Sequence, residues 1–211
     1  MSFDTYANLQ TEVLSGLWKP TGDTALIAAV PGFISLVEGQ VNLRMRVRQM
    51  IGRSTATISD EYSDVPTDFI GPRSFRFTDT TPITTLEWVS PQQMSELKTT
   101  FSQTSAKPEF YTVVGPEFEF CPVPSGSNTA ALTYWKRVPA LSGAVNWLLT
   151  YYPHVYMHGC LAYGWRFLRD DEQSDREWSI FLQSIEEANE AEKKEAIGGL
   201  LHLGQPLPAG T

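Results

Sequence analysis

Two histidines four residues apart, His154 and His158, stand beside Cys160 in the run Pro153-His-Val-Tyr-Met-His-Gly-Cys160. Histidines at i and i+4 on a helix share a face and can bind one zinc ion. This run lacks the glutamate of an HExxH site, and Cys160, two residues past His158, falls about 200° around the helix. A zinc site needs four convergent ligands, so the histidines read as partly buried and hydrogen-bonded. Glu117 and Glu119 alternate on a predicted strand. Paired carboxylates serve glycoside hydrolysis, but here Phe118 and Phe120 take the other face, the polar-out, apolar-in pattern of a half-buried strand. Asp60, Glu61, Asp64 and Asp68 form an acidic loop without the Asp-x-Asp-x-Asp-Gly spacing of a calcium site. Trp88, Tyr111, Tyr134 and Trp135 could stack on a sugar or a base, although such aromatics more often belong to a core or an interface. There is no P-loop, no GxGxxG and no GxSxG. These residues give no catalytic site, no metal site and no cofactor, and the chain is expected not to be an enzyme.

The 211 residues suit one domain, or one with a sizeable insertion, and 42% hydrophobic with 12% aromatic residues suffice for a core. The formal net charge is -8. Gripping DNA through phosphates requires clustered Lys and Arg, so a nucleic-acid-binding site is not expected, although an acidic chain can surround DNA without holding it. Arg44, Arg46, Arg48 and Arg53 cluster near the end of a predicted helix. Arg44 and Arg48 share a face there and Arg46 points elsewhere, which complements a helix dipole better than it makes a continuous basic stripe. Cys121 and Cys160 read as two free thiols in a reducing cytosol. No signal peptide is visible, and the apolar stretch Ala25–Val37 is too short to span a bilayer, so no membrane partner is expected.

The elements follow from periodicity. Tyr6, Leu9, Val13 and Leu17 recur at helical spacing, with Asp4 as cap and Pro20 as terminator. Ala25 to Val30 reads as a short helical turn, and a second helix begins at Pro31 with Ile34, Val37, Val41 and Met45 on its apolar face. From Ser54 to Val138 alternation replaces helical spacing. Strands are expected at 54–59, 69–77, 84–88 and 129–138, a hairpin at 110–114 and 117–120, and a short helix over 91–101. Phe75 and Phe77 share one sheet face. Asn146 to Tyr152 is a short helix or turn. Pro153 then opens a helix to about Arg169 that is apolar nearly all round, hence expected to be buried on every side, with part of that burial open to supply by another subunit. Gly159 and Gly164 let neighbours approach it. A last helix runs from about Glu172 to Ile197, with the capping box Ser174-Asp-Arg-Glu177 near its start. Trp178, Phe181, Leu182, Ile185 and Ala188 form its stripe, and Gly198-Gly199 ends it.

The expected fold is α+β: a helical bundle of N- and C-terminal helices, with a small antiparallel β domain inserted and an extended C-terminal tail. The expected divisions are residues 1–53, 54–138, 139–197 and 198–211.

Several stretches, in order along the chain, resemble the adaptor, or head–tail connector, family of tailed bacteriophages. Ser2-Phe-Asp-Thr-Tyr-Ala-Asn-Leu-Gln10 is similar to that family's first helix, and Pro31-Gly-Phe-Ile-Ser-Leu-Val-Glu-Gly to Met50 to its second. Val65-Pro-Thr-Asp-Phe69, Leu86-Glu-Trp-Val-Ser-Pro91, Phe110-Tyr-Thr-Val-Val-Gly115 and Leu132-Thr-Tyr-Trp-Lys-Arg-Val-Pro-Ala-Leu141 resemble its strands. Asn146-Trp-Leu-Leu-Thr-Tyr-Tyr-Pro-His-Val-Tyr156 resembles the entry to its long helices. Gly39 and the C-terminal tail depart from the family pattern.

The resemblance implies a structural virion protein in the neck between head and tail, assembled in the host cytoplasm. It implies a homo-dodecameric ring beneath the portal protein that extends the DNA channel, lets DNA pass without specific binding and gives tail or nozzle proteins a platform. The uncharged tail supplies the expected portal-binding residues: Gly198, Gly199, Leu200, Leu201, His202, Leu203, Pro206 and Leu207. Two other classes stay open: another virion part, such as a tail-completion or tail-tube protein, and an aromatic-rich module for carbohydrate or peptide.

Overall fold

A computed structural model describes residues 5–18, 23–79, 83–101, 105–142 and 144–203, the last eight by backbone alone. In chain order the elements are α1 (Tyr6–Gly16), α2 (Thr24–Arg44), β1 (Ile51–Ile58), β2 (Tyr62–Asp64), β3 (Phe69–Phe77), β4 (Thr84–Thr85), β5 (Glu87–Trp88), α3 (Pro91–Thr100), β6 (Ser105–Ala106), β7 (Phe110–Val114), β8 (Glu117–Cys121), β9 (Val123–Pro124), β10 (Asn128–Lys136), α4 (Trp147–Tyr151), α5 (Pro153–Phe167) and α6 (Asp171–Leu203). Helices and mainly antiparallel sheets give an α+β chain. It divides into two compact units, Met1–Gln49 with Val138–Thr211, and Met50–Arg137.

In the helical unit, the Thr5 hydroxyl accepts from the Asn8 amide and caps α1. Asp4, the cap expected from sequence, lies outside the described residues, as does Pro20. The expected break at Pro31 does not occur, because α2 is one helix of 21 residues with Pro31 inside it. Asp23 caps its start by accepting from the Ala25 and Leu26 amides. Pro31 removes the bond to the Ile27 carbonyl, and the helix runs on because Leu26, Val30, Phe33, Ile34, Val37 and Val41 on both sides of it are buried. The uninterrupted helix is also long and apolar enough, by length and composition, to cross a membrane, which corrects the shorter stretch read from the sequence. Its buried face is core. The helix ends at Arg44 with Met45 extended, so Arg46 and Arg48 lie past it and Arg44 and Arg48 share no helical face.

Helix α5 is the centre of this unit. Pro153 opens it and Arg169, with φ of 62°, turns the chain after it. The Asp170 amide reaches back to the Trp165 carbonyl and the Asp170 carboxylate caps α6 through the Gln173 amide. The expected capping box at Ser174 and Glu177 is therefore not used. Its two side chains instead hold α6 antiparallel to α5: the Ser174 hydroxyl donates to the Ala162 carbonyl at 3.0 Å, and Glu177 sits 2.7 Å from His158 Nδ1. Burial of α5 comes largely from within the chain, although Phe167 is 48% exposed. Its glycines are notches for side chains. A Cβ on Gly159 would stand 2.6 Å from Val37 Cγ2 and 3.1 Å from the Phe181 ring, and one on Gly164 2.6 Å from Leu17 Cδ1.

The β unit holds two four-stranded sheets, ordered β1-β10-β3-β4 and β2-β8-β7-β5, and a small pair β6-β9. Entry and exit are neighbours, since β1 pairs antiparallel with β10 with Ile51 opposite Trp135. That adjacency lets a stretch of this length be inserted without separating the helical segments it interrupts. Phe75, Phe77, Phe118, Phe120, Leu132 and Tyr134 fill the space between the sheets. Phe75 meets Tyr111 and Phe120 edge to face, at 5.2 and 5.7 Å between centroids. Strand β1 begins at Ile51, earlier than expected, and the expected 84–88 strand is two short pieces.

The glycines divide by what surrounds them. Gly159→Ala should cost about 1–3 kcal/mol by overpacking. Gly39→Ala, where an added Cβ meets nothing within 4 Å, should gain about 0.5–1 kcal/mol by relieving mid-helix glycine entropy. Thermal melts of the two variants should move in opposite directions; a fall for both would contradict the packing described.

Candidate assembly site

Helix α6 carries six of the eight expected portal-binding residues, those from Gly198 to Leu203. Phe181, Ser184, Ile185 and Ala188 are buried, and from Glu190 to Glu195 only Glu192 is less than exposed. At the changeover, Asn189 clasps the end of α2. Its Oδ1 accepts from the Arg46 amide at 2.7 Å and its Nδ2 donates to the Arg44 carbonyl at 3.0 Å. Arg48 adds ion pairs to Glu192 at 3.6 Å and Glu195 at 3.1 Å. Of the arginine cluster, Arg48 reaches α6 with its side chain, Arg44 and Arg46 meet Asn189 through their backbone, and Arg53 lies on β1.

Gly198 and Gly199 do not end the helix, contrary to the expectation, and the backbone stays helical through Leu200, Leu201, His202 and Leu203. A mid-helix glycine costs about 1 kcal/mol relative to alanine but stops a helix only by turning left-handed at its end, and leucine is a strong helix former. Pro206 and Leu207 lie outside the described residues. At about 1.5 Å per residue, the 33 residues of α6 extend about 50 Å.

Several of the other residues singled out from sequence have structural partners, and others are exposed. His158 is half-buried and pairs with Glu177, as expected. His154, contrary to the expectation, is exposed and makes no side-chain hydrogen bond among the described residues, its ring lying 6.3 Å from that of Tyr152. Partial burial, then His158, lowers the His154 pKa. Cys160 is fully buried and free. Among the described residues no group of three His, Cys, Asp or Glu could hold a metal ion. In the β unit, Lys98 of α3 pairs with both Glu61 and Glu119 and lies within reach of the Tyr62 hydroxyl. Burial works to lower the Lys98 pKa, and the hydrogen bonds to Glu119, Glu61 and Tyr62 outweigh it and raise it. Glu119 is therefore an ion-pair partner, whereas Glu117 is exposed. Asp68 accepts from the Tyr134 hydroxyl at 2.8 Å. Tyr111 and Tyr134 are core, Arg73 lies 4.6 Å over the Trp135 ring, and Trp88 is exposed.

Sequence reasoning missed Glu38, a carboxylate inside the buried stripe of α2. Glu38 Oε1 accepts from the Leu141 amide at 2.7 Å and from the Tyr156 hydroxyl at 2.8 Å. The Tyr156 oxygen accepts from Asn146 Nδ2 at 2.7 Å, which also donates to the Pro139 carbonyl. Asn146 Oδ1 caps α4 through the Leu149 amide at 3.0 Å. The detectable signal was position: Glu38 follows Ile34 by four and precedes Val41 by three, on the face that faces the core.

Tyr156→Phe should lower stability by about 1–3 kcal/mol by leaving Glu38 and Asn146 under-satisfied. Burial raises the Cys160 thiol above its ordinary 9.0 and the Tyr156 phenol above its ordinary 10.0. The folded chain keeps protons there that the unfolded chain releases, so the stability they contribute is full below about pH 9 and is lost as pH rises further. Melting temperature should fall through the alkaline range, with the onset moved upward in Cys160→Ala; a melting temperature flat above that point would contradict this.

The sequence model of a family described as SU10 adaptor protein matches residues 4–199 of the 211. No curated protein matches the chain. The match takes in all of the β unit and the helical segments on both sides of it. By this match the chain belongs to the SU10 adaptor proteins, a family of phage head–tail adaptors.

Proposed function

We propose that the chain is a neck component that forms a homo-dodecameric ring beneath the portal, extends the DNA channel and gives tail or nozzle proteins a platform, without catalysis. The observation that carries this reading is the outward face of α2. Every exposed residue from Thr24 to Leu43 is uncharged. Ile27, Leu36 and Leu43 are 41%, 51% and 72% exposed, and Gly32 and Gly39 stand with open space where a Cβ would be. Such a surface marks an interaction site, and its small residues suit a closely packed neighbour. In a ring that neighbour is the next copy, through a heterologous contact that closes when the rotation fits. The net charge of -8 suits a channel that DNA crosses without adhering.

The segment Gly198–Thr211 is the proposed portal anchor. It has no charged residue and carries Leu200, Leu201, Leu203 and Leu207. Each leucine buried on docking contributes roughly 1.5–3 kcal/mol before ordering costs.

Native mass spectrometry of chain and portal together should show a ring matching portal symmetry. Leu36→Glu with Leu43→Glu should leave the monomer folded and prevent the ring, and truncation after Ile197 should abolish stable portal binding. One or two copies per portal, or rings formed equally well by the charged variant, would contradict the reading. In a mobility-shift assay duplex DNA should bind weakly; tight binding with a steep salt slope would reveal a basic surface.

A further inference from the structure

The β unit leaves one long strand edge open. Of the four strands that border its two sheets, β4 and β5 have two residues each and β2 has three, whereas β1 has eight. Among the described residues β1 pairs only with β10. Long edges are normally guarded by proline, lysine, a bulge or a covering segment. β1, Ile-Gly-Arg-Ser-Thr-Ala-Thr-Ile, has no proline or lysine, its only charge is Arg53, and Thr55, Ala56 and Thr57 are exposed.

A cavity of about 180 Å³ opens beside this edge, between the two sheets. Its walls include Ser54 and Ala56 of β1, Val65, Phe75, Phe118 and Leu132. It exists because two successive inward positions of β1 are small where the rest of the core is aromatic and aliphatic. Asp64 stands at the rim, exposed, and among the described residues it makes no ion pair and no side-chain hydrogen bond. Asp60 lies on the same acidic turn and accepts from the Ser59 hydroxyl.

We propose that the outer edge of β1 accepts an extended segment of another polypeptide as an added strand, whose inward aliphatic side chain fills the cavity and whose flanking Lys or Arg meets Asp64. Main-chain hydrogen bonds along the open edge supply affinity, and the cavity supplies selectivity for the alternate side chain. A second copy of β1 fits poorly, because it presents the same small Ser54 and Ala56 and leaves both cavities empty. Residues 204–211 fit poorly as well, because Pro206 and Pro208 lack the amide hydrogens that strand addition uses. This site does not depend on the ring.

The test uses the full chain and an acetylated, amidated probe peptide, Lys-Val-Thr-Leu-Thr-Val-Lys. Amide shifts followed by NMR should saturate and concentrate on Ser54–Ile58 and Asp64. A twin peptide N-methylated at alternate residues, and a twin with Glu for both Lys, should each bind at least about tenfold more weakly. Ala56→Leu, which fills the cavity from within, should keep the melting temperature and weaken the probe by about tenfold. Three results would each overturn the proposal: no saturable shift at β1, equal binding of the N-methylated twin, or unchanged affinity in Ala56→Leu. Concentration-dependent self-association that Thr57→Pro abolishes would assign the edge to a second copy and overturn it too.

Discussion

A carboxylate taken out of water must find partners, and Glu38 finds them only if several parts of the helical unit stand in one arrangement. The residue is 9% exposed, and stripping solvent from such a group costs several kcal/mol unless hydrogen bonds replace it. Those bonds come from the Leu141 amide and from Tyr156, whose oxygen is held in turn by Asn146. Asn146 also starts α4. One charged atom on α2 thereby fixes the returning chain at 139–146, the start of α4 and the position of α5. A slip of α2 by one residue would swing the carboxylate off this face and leave the Leu141 amide and the Tyr156 hydroxyl proton without their acceptor. Apolar packing alone would tolerate more variation.

The close packing around α5 depends on that placement. With α5 set against α2, Val37 enters the space left by Gly159, and Phe181 of α6 enters beside it. Asn189 then closes the end of α2. The face of α2 that serves this interior is spent, and the opposite face, equally poor in charge, is turned outward. The proposed assembly from identical copies would benefit from this division: the buried polar network holds the monomer in one shape, and an uncharged helix face is left outward. The β unit shows the same separation of roles, with an aromatic core between its sheets and an underfilled edge at β1.

Much of this was legible in the sequence, for physical reasons that differ by element. β3 and the β7–β8 hairpin stood out because alternation is a local signal, and α3 because helical spacing over 91–101 is another. α2 was misread at Pro31 because helix punctuation is local, while the burial that carries the helix through it is tertiary. The Ser174–Glu177 pair looked like a cap because its spacing is right, but Asp170 reaches the amides first and frees both side chains for α5. The same blindness hid the Lys98 pairing with Glu61 and Glu119, which lie 37 and 21 residues away along the chain. The residues with chemical promise read as structural; Glu119, Glu61, Asp68, Tyr134 and His158 have structural partners, whereas Asp64, Glu117 and Trp88 are exposed. Glu38 was passed over because a single acid in an apolar helix looks like surface until its partners are known.

The central claim is that this chain is a neck adaptor whose copies join through the outward face of α2. A cryo-EM reconstruction of the intact particle tests it most directly. The account predicts twelve copies between portal and tail, with Leu36 and Leu43 of each copy covered by its neighbour. Copies placed elsewhere in the particle, or a ring in which that face of α2 stays open to solvent, would contradict it.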